Sequence, residues 1–191
     1  QNALLGSLEL SRLQKDFFAS VVERYKDKIS DDVLENISSI IDAGIGLTSG
    51  NVVMGDLGPK KGVRKFGVLG DPLNLAARIE SLTRLFNTEI IITEELLVTA
   101  TELNIPARYL GRIRVKGRTE PAMLFAVGCK EDFRFESTNI ALWERWISAV
   151  ECNLTDLPIC PEVYRRDQET ISKWKARGLL GEDQVWRLDE K

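Results

Sequence analysis

The sequence contains no histidine among its 191 residues. Without an imidazole, the chain cannot form a Ser-His-Asp or Cys-His nucleophilic centre, nor a zinc site with histidine ligands. Any catalysis must therefore use carboxylates, amides, lysine, arginine, hydroxyl groups or a metal ion held by oxygen atoms. Cysteine is also scarce, because the chain has only three, widely spaced and without a CxxC motif. This pattern indicates a reducing compartment, and we expect each cysteine to be a small buried hydrophobic residue.

Long apolar runs and an excess of basic residues are missing as well. No run approaches the ~20 residues that a membrane-spanning helix needs, and no segment resembles a signal peptide. The 26 Lys and Arg residues are outnumbered by 29 Asp and Glu residues. We expect no nucleic-acid partner, because phosphate neutralisation requires a basic excess. We expect a cytoplasmic chain, and its first residue, Gln1, indicates a piece of a longer protein.

The spacing of apolar residues divides the chain into two parts. Residues 3–28 predict a long helix, and the apolar pattern continues over residues 33–41. Between residues 43 and 127, strand-like and helix-like segments are mixed in a way that is typical of an α+β or α/β core. Beyond residue 131, tryptophans recur at helical spacing. We therefore predict a core of residues 1–132 and a helical extension of residues 133–191, with its tryptophans as core anchors.

Glycine is concentrated in one window, where six glycines lie between residues 44 and 62. Such a window is typical either of a loop whose backbone approaches a phosphate or of a hairpin with tight turns. The P-loop and dinucleotide-binding patterns are both absent. We therefore predict that residues 43–47 and 51–54 form a strand pair, and phosphate binding stays open as the alternative.

A helix is predicted to begin at residue 71, with Asp71 as its N-cap and a proline at the first helical position. Asn74 and Arg78 lie four residues apart and therefore share one face of this helix. An amide and a guanidinium near a helix N-terminus suit a group that develops negative charge, such as a reacting phosphate. The alternative is a solvated face on which Arg78 pairs with an acid. An apolar stripe should seat the helix on a sheet: Leu75, Ile79, Leu82 and Phe86.

A second candidate basic group follows the strand-like residues 109–115. The strand ends at Lys116 and Gly117, which form a predicted turn. A lysine at the end of a strand, beside a glycine turn, is in a position to contact a triphosphate. The alternative is a solvated strand edge whose charges discourage aggregation.

Three segments carry ordered motifs. Residues 44–58 read GIGLTSGNVVMGDLG, residues 68–80 read VLGDPLNLAARIE, and residues 110–121 read LGRIRVKGRTEP. Together they resemble the catalytic domain of the class III nucleotidyl cyclases, and the likeness covers about residues 40–128. The tail is similar to the C-terminal helical extension of bacterial members with membrane anchors, which makes a membrane-anchored parent protein an open alternative.

The resemblance implies a fold and an activity. The fold would be an α+β, ferredoxin-like cyclase domain with a mixed or antiparallel sheet and helices on one face, here with a C-terminal helical extension. The activity would be conversion of ATP to 3′,5′-cyclic AMP and pyrophosphate in intracellular signalling. The active site would lie between two catalytic domains of a homodimer, with Mg²⁺ or Mn²⁺ as cofactor.

The resemblance also implies residue roles. Asn74 would orient the ribose, Arg78 would stabilise the phosphate in the transition state, and Lys116 would hold the terminal phosphates. The metal-binding aspartates are expected upstream of this chain, so we assign no metal ligand within it and expect it to be inactive alone. Gly67 stands at the base-reading position and has no side chain to bind adenine. A guanylyl cyclase and a degenerate nucleotide-binding or dimerisation module therefore stay open as alternatives.

Overall fold

A computed structural model describes residues 1–28, 30, 33, 43–59 and 62–188. Within these ranges the α-helices are α1 (Asn2–Tyr25), α2 (Asp71–Leu82), α3 (Leu97–Glu102), α4 (Ser137–Glu151) and α5 (Arg165–Ala176). The strands are β1 (Ile45–Leu47), β2 (Val53–Leu57), β3 (Lys65–Leu69), β4 (Ile90–Thr93), β5 (Ala107–Arg114), β6 (Ala122–Val127) and β7 (Val185–Arg187). The predicted first helix is confirmed as α1, whereas most of its predicted continuation lies outside the described residues. No helix in the described ranges combines the length and hydropathy that crossing a bilayer requires.

Five strands form one mixed sheet in the order β1-β4-β6-β5-β7, and β2 and β3 form a separate antiparallel hairpin. The predicted α+β class is confirmed. The predicted pairing of residues 43–47 with 51–54 is wrong. Ile45 in β1 lies opposite Ile90 in the parallel strand β4, whereas Val53 in β2 lies opposite Leu69 in β3. The reason is that α2 carries the chain from the hairpin back to the sheet and places β4 beside β1.

The isoleucines of β4 show that helices cover both faces of the sheet. Ile91 lies in an apolar cluster with residues of α2, α4 and α5. Ile90 and Ile92 lie in a second cluster with residues of α1 and α3. Successive strand residues point to opposite faces, and all of β4 is buried. The expectation that helices lie on one face is therefore wrong, because an apolar strand of this kind needs cover on each side.

The helix α2 packs directly on β1, as its apolar stripe predicts. The four residues of the stripe are buried, namely Leu75, Ile79, Leu82 and Phe86. Gly46 of β1 permits the close contact, because a Cβ at this position would lie 2.3 Å from the carbonyl oxygen of Ala76. Any side chain there would push the helix outward, so Gly46 sets the distance between α2 and the sheet.

Residues 133–188 pack into the same apolar cluster as α2. Trp143, Trp146 and Trp174 are buried, which confirms their predicted role as core anchors. The strand β7 joins the sheet beside β5, with Val185 opposite Arg112. The helical pattern of this segment did not predict β7, because a three-residue strand leaves almost no periodic signal.

The three cysteines are free, but they do not occupy the core. Cys129 and Cys152 are exposed, and Cys160 is half-buried. The expectation that each is a small buried hydrophobic residue is therefore wrong. The two exposed cysteines lie just beyond β6 and α4, where the chain returns to the surface.

A buried ion pair joins β5 to α5. Arg108 and Asp167 are 2% and 1% exposed, and Arg108 Nη2 lies 3.0 Å from Asp167 Oδ2. The guanidinium also packs over the rings of Trp143 and Tyr164, 4.8 and 4.2 Å from their centroids. Three of the pair's polar atoms have no hydrogen-bond partner among the described residues: Nε and Nη1 of Arg108 and Oδ1 of Asp167. The ion pair, a hydrogen bond of 3.3 Å from Arg108 Nη2 to the carbonyl oxygen of Phe86, and the two aromatic rings therefore compensate only part of the cost of burying the charges.

Arg134 ties the start of the C-terminal segment to β4. Its guanidinium donates hydrogen bonds of 2.5–3.0 Å to the carboxylates of Asp132 and Glu89. Burial raises the pKa of each carboxyl, but the interactions with Arg134 outweigh burial and hold both pKa values below their usual range. A carboxyl whose pKa is lowered by folding stabilises the folded state at pH values above its unfolded pKa of about 4. This stabilisation is lost as the pH falls through the folded pKa.

We expect Arg134→Gln to lower the free energy of unfolding at pH 7 by about 2 kcal/mol. Urea unfolding at pH 7 and at about pH 3 measures this loss and its pH dependence. The unmodified chain should lose more stability on acidification than Arg134→Gln, whereas Arg145→Gln, an exposed change on α4, should keep the original pH profile. Equal acid losses in the unmodified chain and in Arg134→Gln would show that the two carboxylates do not depend on Arg134.

Candidate functional site

The first two turns of α2 present the predicted amide and guanidinium. Asn74 is exposed and Arg78, one turn later, is half-buried. Both lie beside the buried stripe that fixes α2 on β1. The helix therefore holds the two side chains on a rigid element. Asn74 lies in its first turn, where unpaired N–H groups favour an anion, and Arg78 lies one turn further along.

Asp71 does not cap the helix. Gly70 is the N-cap, and Asp71 is the first helical residue. The Asp71 carboxylate instead lies 2.9 Å from the guanidinium of Arg118, which follows β5. The predicted capping role is therefore wrong. The ion pair links the beginning of α2 to the turn that carries Lys116, a connection that sequence spacing could not show.

The guanidinium of Arg78 lies directly against this turn. Gly117 has a φ of +73°, and a Cβ placed on it would lie 3.1 Å from both Nη1 and Nη2 of Arg78. A side chain at this position would meet both a strained backbone conformation and the guanidinium. Gly117 therefore serves two purposes, because it closes the turn after β5 and leaves space for Arg78.

Arg78 and Lys116 line one open cleft of about 310 Å³. Asn74 and Gly67 do not line it. Gly67 lies in β3 opposite Gly55 of β2, and a Cβ on it would lie 2.7 Å from Cδ1 of Leu57. The structure therefore brings two of the four predicted residues together around one space, and it leaves Asn74 exposed on α2 and Gly67 in the hairpin.

Neither cation has an acidic partner in the described part of the chain. No ion pair or side-chain hydrogen bond of Arg78 or Lys116 is formed there. The alternative in which Arg78 pairs with an acid is therefore not supported by any described residue. Two uncompensated cations at one cleft attract an anion, and a guanidinium can contact two phosphate oxygens at once.

Sequence reasoning missed the residues on the far side of the cleft. Trp174, Arg177, Leu179 and Leu188 all line it, and all come from the C-terminal segment. No local signal marks them, because their position depends on how α5 and β7 pack against the sheet. A larger cavity of about 730 Å³ lies elsewhere, between α3 and the start of α4, and includes none of the predicted site residues.

The described residues do not form a metal site. No group of three or more His, Cys, Asp or Glu side chains among them is arranged to hold an ion. The carboxylate of Asp71, at the start of α2, is engaged by Arg118. The described side chains therefore do not fit a bound Mg²⁺ or Mn²⁺.

The β2–β3 hairpin exposes an apolar surface immediately before α2. We call it the hairpin surface; its members are Val53, Met54, Phe66 and Leu69, which are 69%, 61%, 68% and 55% exposed. Strand alternation distributes these side chains over both faces of the hairpin. Val53 and Leu69 share one face, and Met54 and Phe66 share the other. Exposed apolar groups of this size are favoured at protein–protein contacts.

The chain is similar to known cyclases over its central part. A family model described as the adenylate and guanylate cyclase catalytic domain matches residues 18–128. The "Adenylate cyclase, terminal-differentiation specific" of Dictyostelium discoideum is 26% identical over 144 residues, which cover 70% of this chain and 7% of that protein. The adenylate cyclase of Anabaena cylindrica is 35% identical over 92 residues, which cover 46% of this chain and 18% of that protein. The chain therefore spans less than a fifth of either relative.

A solved structure is also similar in sequence. The crystal structure of the adenylyl cyclase CyaB from P. aeruginosa is 27% identical to this chain where the two match. The match covers 46% of this chain and 42% of that chain, with a TM-score of 0.37.

Proposed function

Because the chain belongs to the family of adenylate and guanylate cyclase catalytic domains, we propose that it is the later part of a domain that converts ATP to 3′,5′-cyclic AMP and pyrophosphate. The ribose 3′-oxygen bonds to the α-phosphorus, the 3′-hydroxyl loses its proton, and the bond to pyrophosphate breaks. Negative charge therefore grows on the oxygens around the α-phosphorus and on the leaving group. The main observation in support of the proposal is the unpaired guanidinium of Arg78 beside the Lys116 turn. The negative charge that develops at the α-phosphorus needs a fixed cation of this kind.

We propose for the three polar residues the roles that the family resemblance implies, and their positions support these roles. Arg78 stabilises the charge at the α-phosphorus, since it is held by a rigid helix and by the Gly117 turn. Asn74, one turn nearer the helix N-terminus and exposed, donates a hydrogen bond to a ribose oxygen. Lys116, exposed at the end of β5, holds the terminal phosphates. These are proposals for the nucleotide-bound state.

The hairpin surface supports a second catalytic domain as the partner. It directly precedes α2, the helix that carries Asn74, in the sequence. We propose a homodimer in which each site is built from both subunits. The metal ions that the family resemblance implies, Mg²⁺ or Mn²⁺, would be held by residues that precede this chain. The chain alone would then be inactive.

We propose that the base of the nucleotide substrate is adenine, which the names of both curated relatives support. Gly67 favours a second candidate, a nucleotide-binding or dimerisation module without turnover, because it offers no side chain to the base. A cyclase assay of the complete catalytic domain with ATP and with GTP separates these functions. Cyclic AMP from ATP supports the proposal, cyclic GMP from GTP supports a guanylyl cyclase, and nucleotide binding without product supports the module.

We expect Gly67→Thr to raise the preference for ATP over GTP about tenfold, because a hydroxyl in this position adds one directed hydrogen bond. The side chain fits if Leu57 changes rotamer, since its flexible end is the nearest contact. The ratio of the two kcat/KM values measures the effect. Gly55→Thr, on the opposite strand of the hairpin, controls for a general change in the hairpin. An unchanged ratio would place Gly67 away from the base.

A further inference from the structure

The cleft beside Arg78 has walls from two parts of the chain. Arg78 and Lys116 belong to the part that the family model matches, whereas Trp174, Arg177 and Leu179 lie beyond its end at residue 128. The volume of about 310 Å³ is at the lower end of the range for small-molecule sites. The C-terminal segment therefore adds a wall, and one more cation, that the family match does not account for.

The charge of the cleft is positive and uncompensated. Arg78, Lys116 and Arg177 all line it, and no carboxylate does. None of the three forms an ion pair or a side-chain hydrogen bond with any described residue. Three cations that face one space without a counter-charge repel one another, and an anionic ligand relieves that repulsion.

The inner wall of the same cleft is apolar. Leu82, Val115, Trp174 and Leu179 line it and are 4–8% exposed. An inorganic anion would leave this wall in contact with water, and a neutral apolar molecule would leave the three cations unpaired. A ligand that has both an anionic head and an apolar body satisfies both parts of the lining.

We propose that this cleft binds a small amphipathic organic anion, with its head among Arg78, Lys116 and Arg177 and its apolar body against Trp174 and Leu179. Binding of this kind does not require turnover. The effect of this binding on catalysis rests on the proposed function, because the bound anion contacts Arg78 and Lys116, which the proposed reaction assigns to the nucleotide. The anion and the nucleotide then compete.

Calorimetric titration of the full chain with n-alkyl carboxylates tests the site. Octanoate should bind saturably, at one molecule per chain and about tenfold more tightly than hexanoate, because each buried methylene adds affinity. Uncharged 1-hexanol should bind about tenfold more weakly than hexanoate, because it makes no charge-assisted hydrogen bond. Arg177→Gln should weaken octanoate about fivefold. Lys173→Gln, the same change one turn earlier on α5 and outside the cleft, should have no effect.

Four results would overturn the site: no saturable octanoate binding up to about 10 mM, equal affinity for the acid and the alcohol, inorganic phosphate binding as tightly as octanoate, or equal losses in Arg177→Gln and Lys173→Gln. A cyclase assay of the complete catalytic domain then tests competition, where octanoate should raise the KM for ATP. An unchanged KM despite octanoate binding would refute the competition. Absence of any turnover would refute the proposed function while leaving the binding result intact.

Discussion

We expect Arg78→Ala to lower kcat of the complete catalytic domain by about 100- to 1,000-fold, the effect of removing one preorganised donor from a developing negative charge. The KM for ATP should change much less, because the interaction strengthens only as charge grows at the phosphorus. The guanidinium lies against Gly117 and has no acidic partner among the described residues. Its removal therefore breaks no ion pair, and the fold should persist.

Steady-state kinetics and thermal unfolding together measure this effect. Arg84→Ala is the matched control, because Arg84 is exposed just beyond the end of α2 and does not line the cleft. The control should keep its turnover, and both variants should keep the melting temperature to within a few degrees. An unchanged rate in Arg78→Ala would remove this residue from the mechanism, and a large fall in its melting temperature would assign it a structural role.

Asp167→Ala is expected to lower the free energy of unfolding by about 3–5 kcal/mol, because it leaves the buried guanidinium of Arg108 without a counter-charge. Burial raises the pKa of Asp167 to about 6, and Arg108 only partly offsets this. The carboxyl is therefore largely ionised at pH 7, but burial destabilises its charged form more than Arg108 stabilises it. The intact pair therefore matters for stability chiefly because either buried charge without its partner would destabilise the fold more than the pair does.

Replacement of both partners distinguishes this explanation from simple loss of packing. The double variant Arg108→Met with Asp167→Leu should recover most of the stability that Asp167→Ala loses, because no unpaired charge remains. Glu169→Ala, an exposed change on the same helix, should be nearly neutral. Chemical denaturation at pH 7 measures all three. If the double variant is as unstable as Asp167→Ala, the loss comes from packing rather than from an isolated charge.

Local patterns predicted the elements that depend on local spacing. The stripe from Leu75 to Phe86 placed α2 on a sheet, and the ordered motifs identified the two segments that hold Asn74, Arg78 and Lys116. That Arg78 meets the Lys116 turn could be expected only from the family resemblance, since nearly 40 residues separate them in the sequence. The contact between Arg78 and this turn depends on Gly117 and on the short distance between α2 and β1 at Gly46.

Features that depend on distant packing were not predictable. The parallel pairing of β1 with β4 leaves no turn signature, because a helix rather than a tight turn connects such strands. Arg177 and Leu179 carry no motif, and only the packing of α5 and β7 brings them to the cleft. The sequence also did not predict helices on both faces of the sheet, because a strand buried on two sides appears in the sequence only as an apolar run.

If Arg78 and Asn74 act on a nucleotide at a boundary between two catalytic domains, turnover must depend on dimer formation. Turnover of ATP per chain, measured for the complete catalytic domain across a range of protein concentrations, tests it most directly when sedimentation gives the dimer fraction in the same samples. We expect cyclic AMP formation per chain to rise with the dimer fraction and to level off when the dimer is complete. Turnover that is constant down to fully monomeric protein, or no cyclic nucleotide from a fully dimeric one, would contradict this expectation.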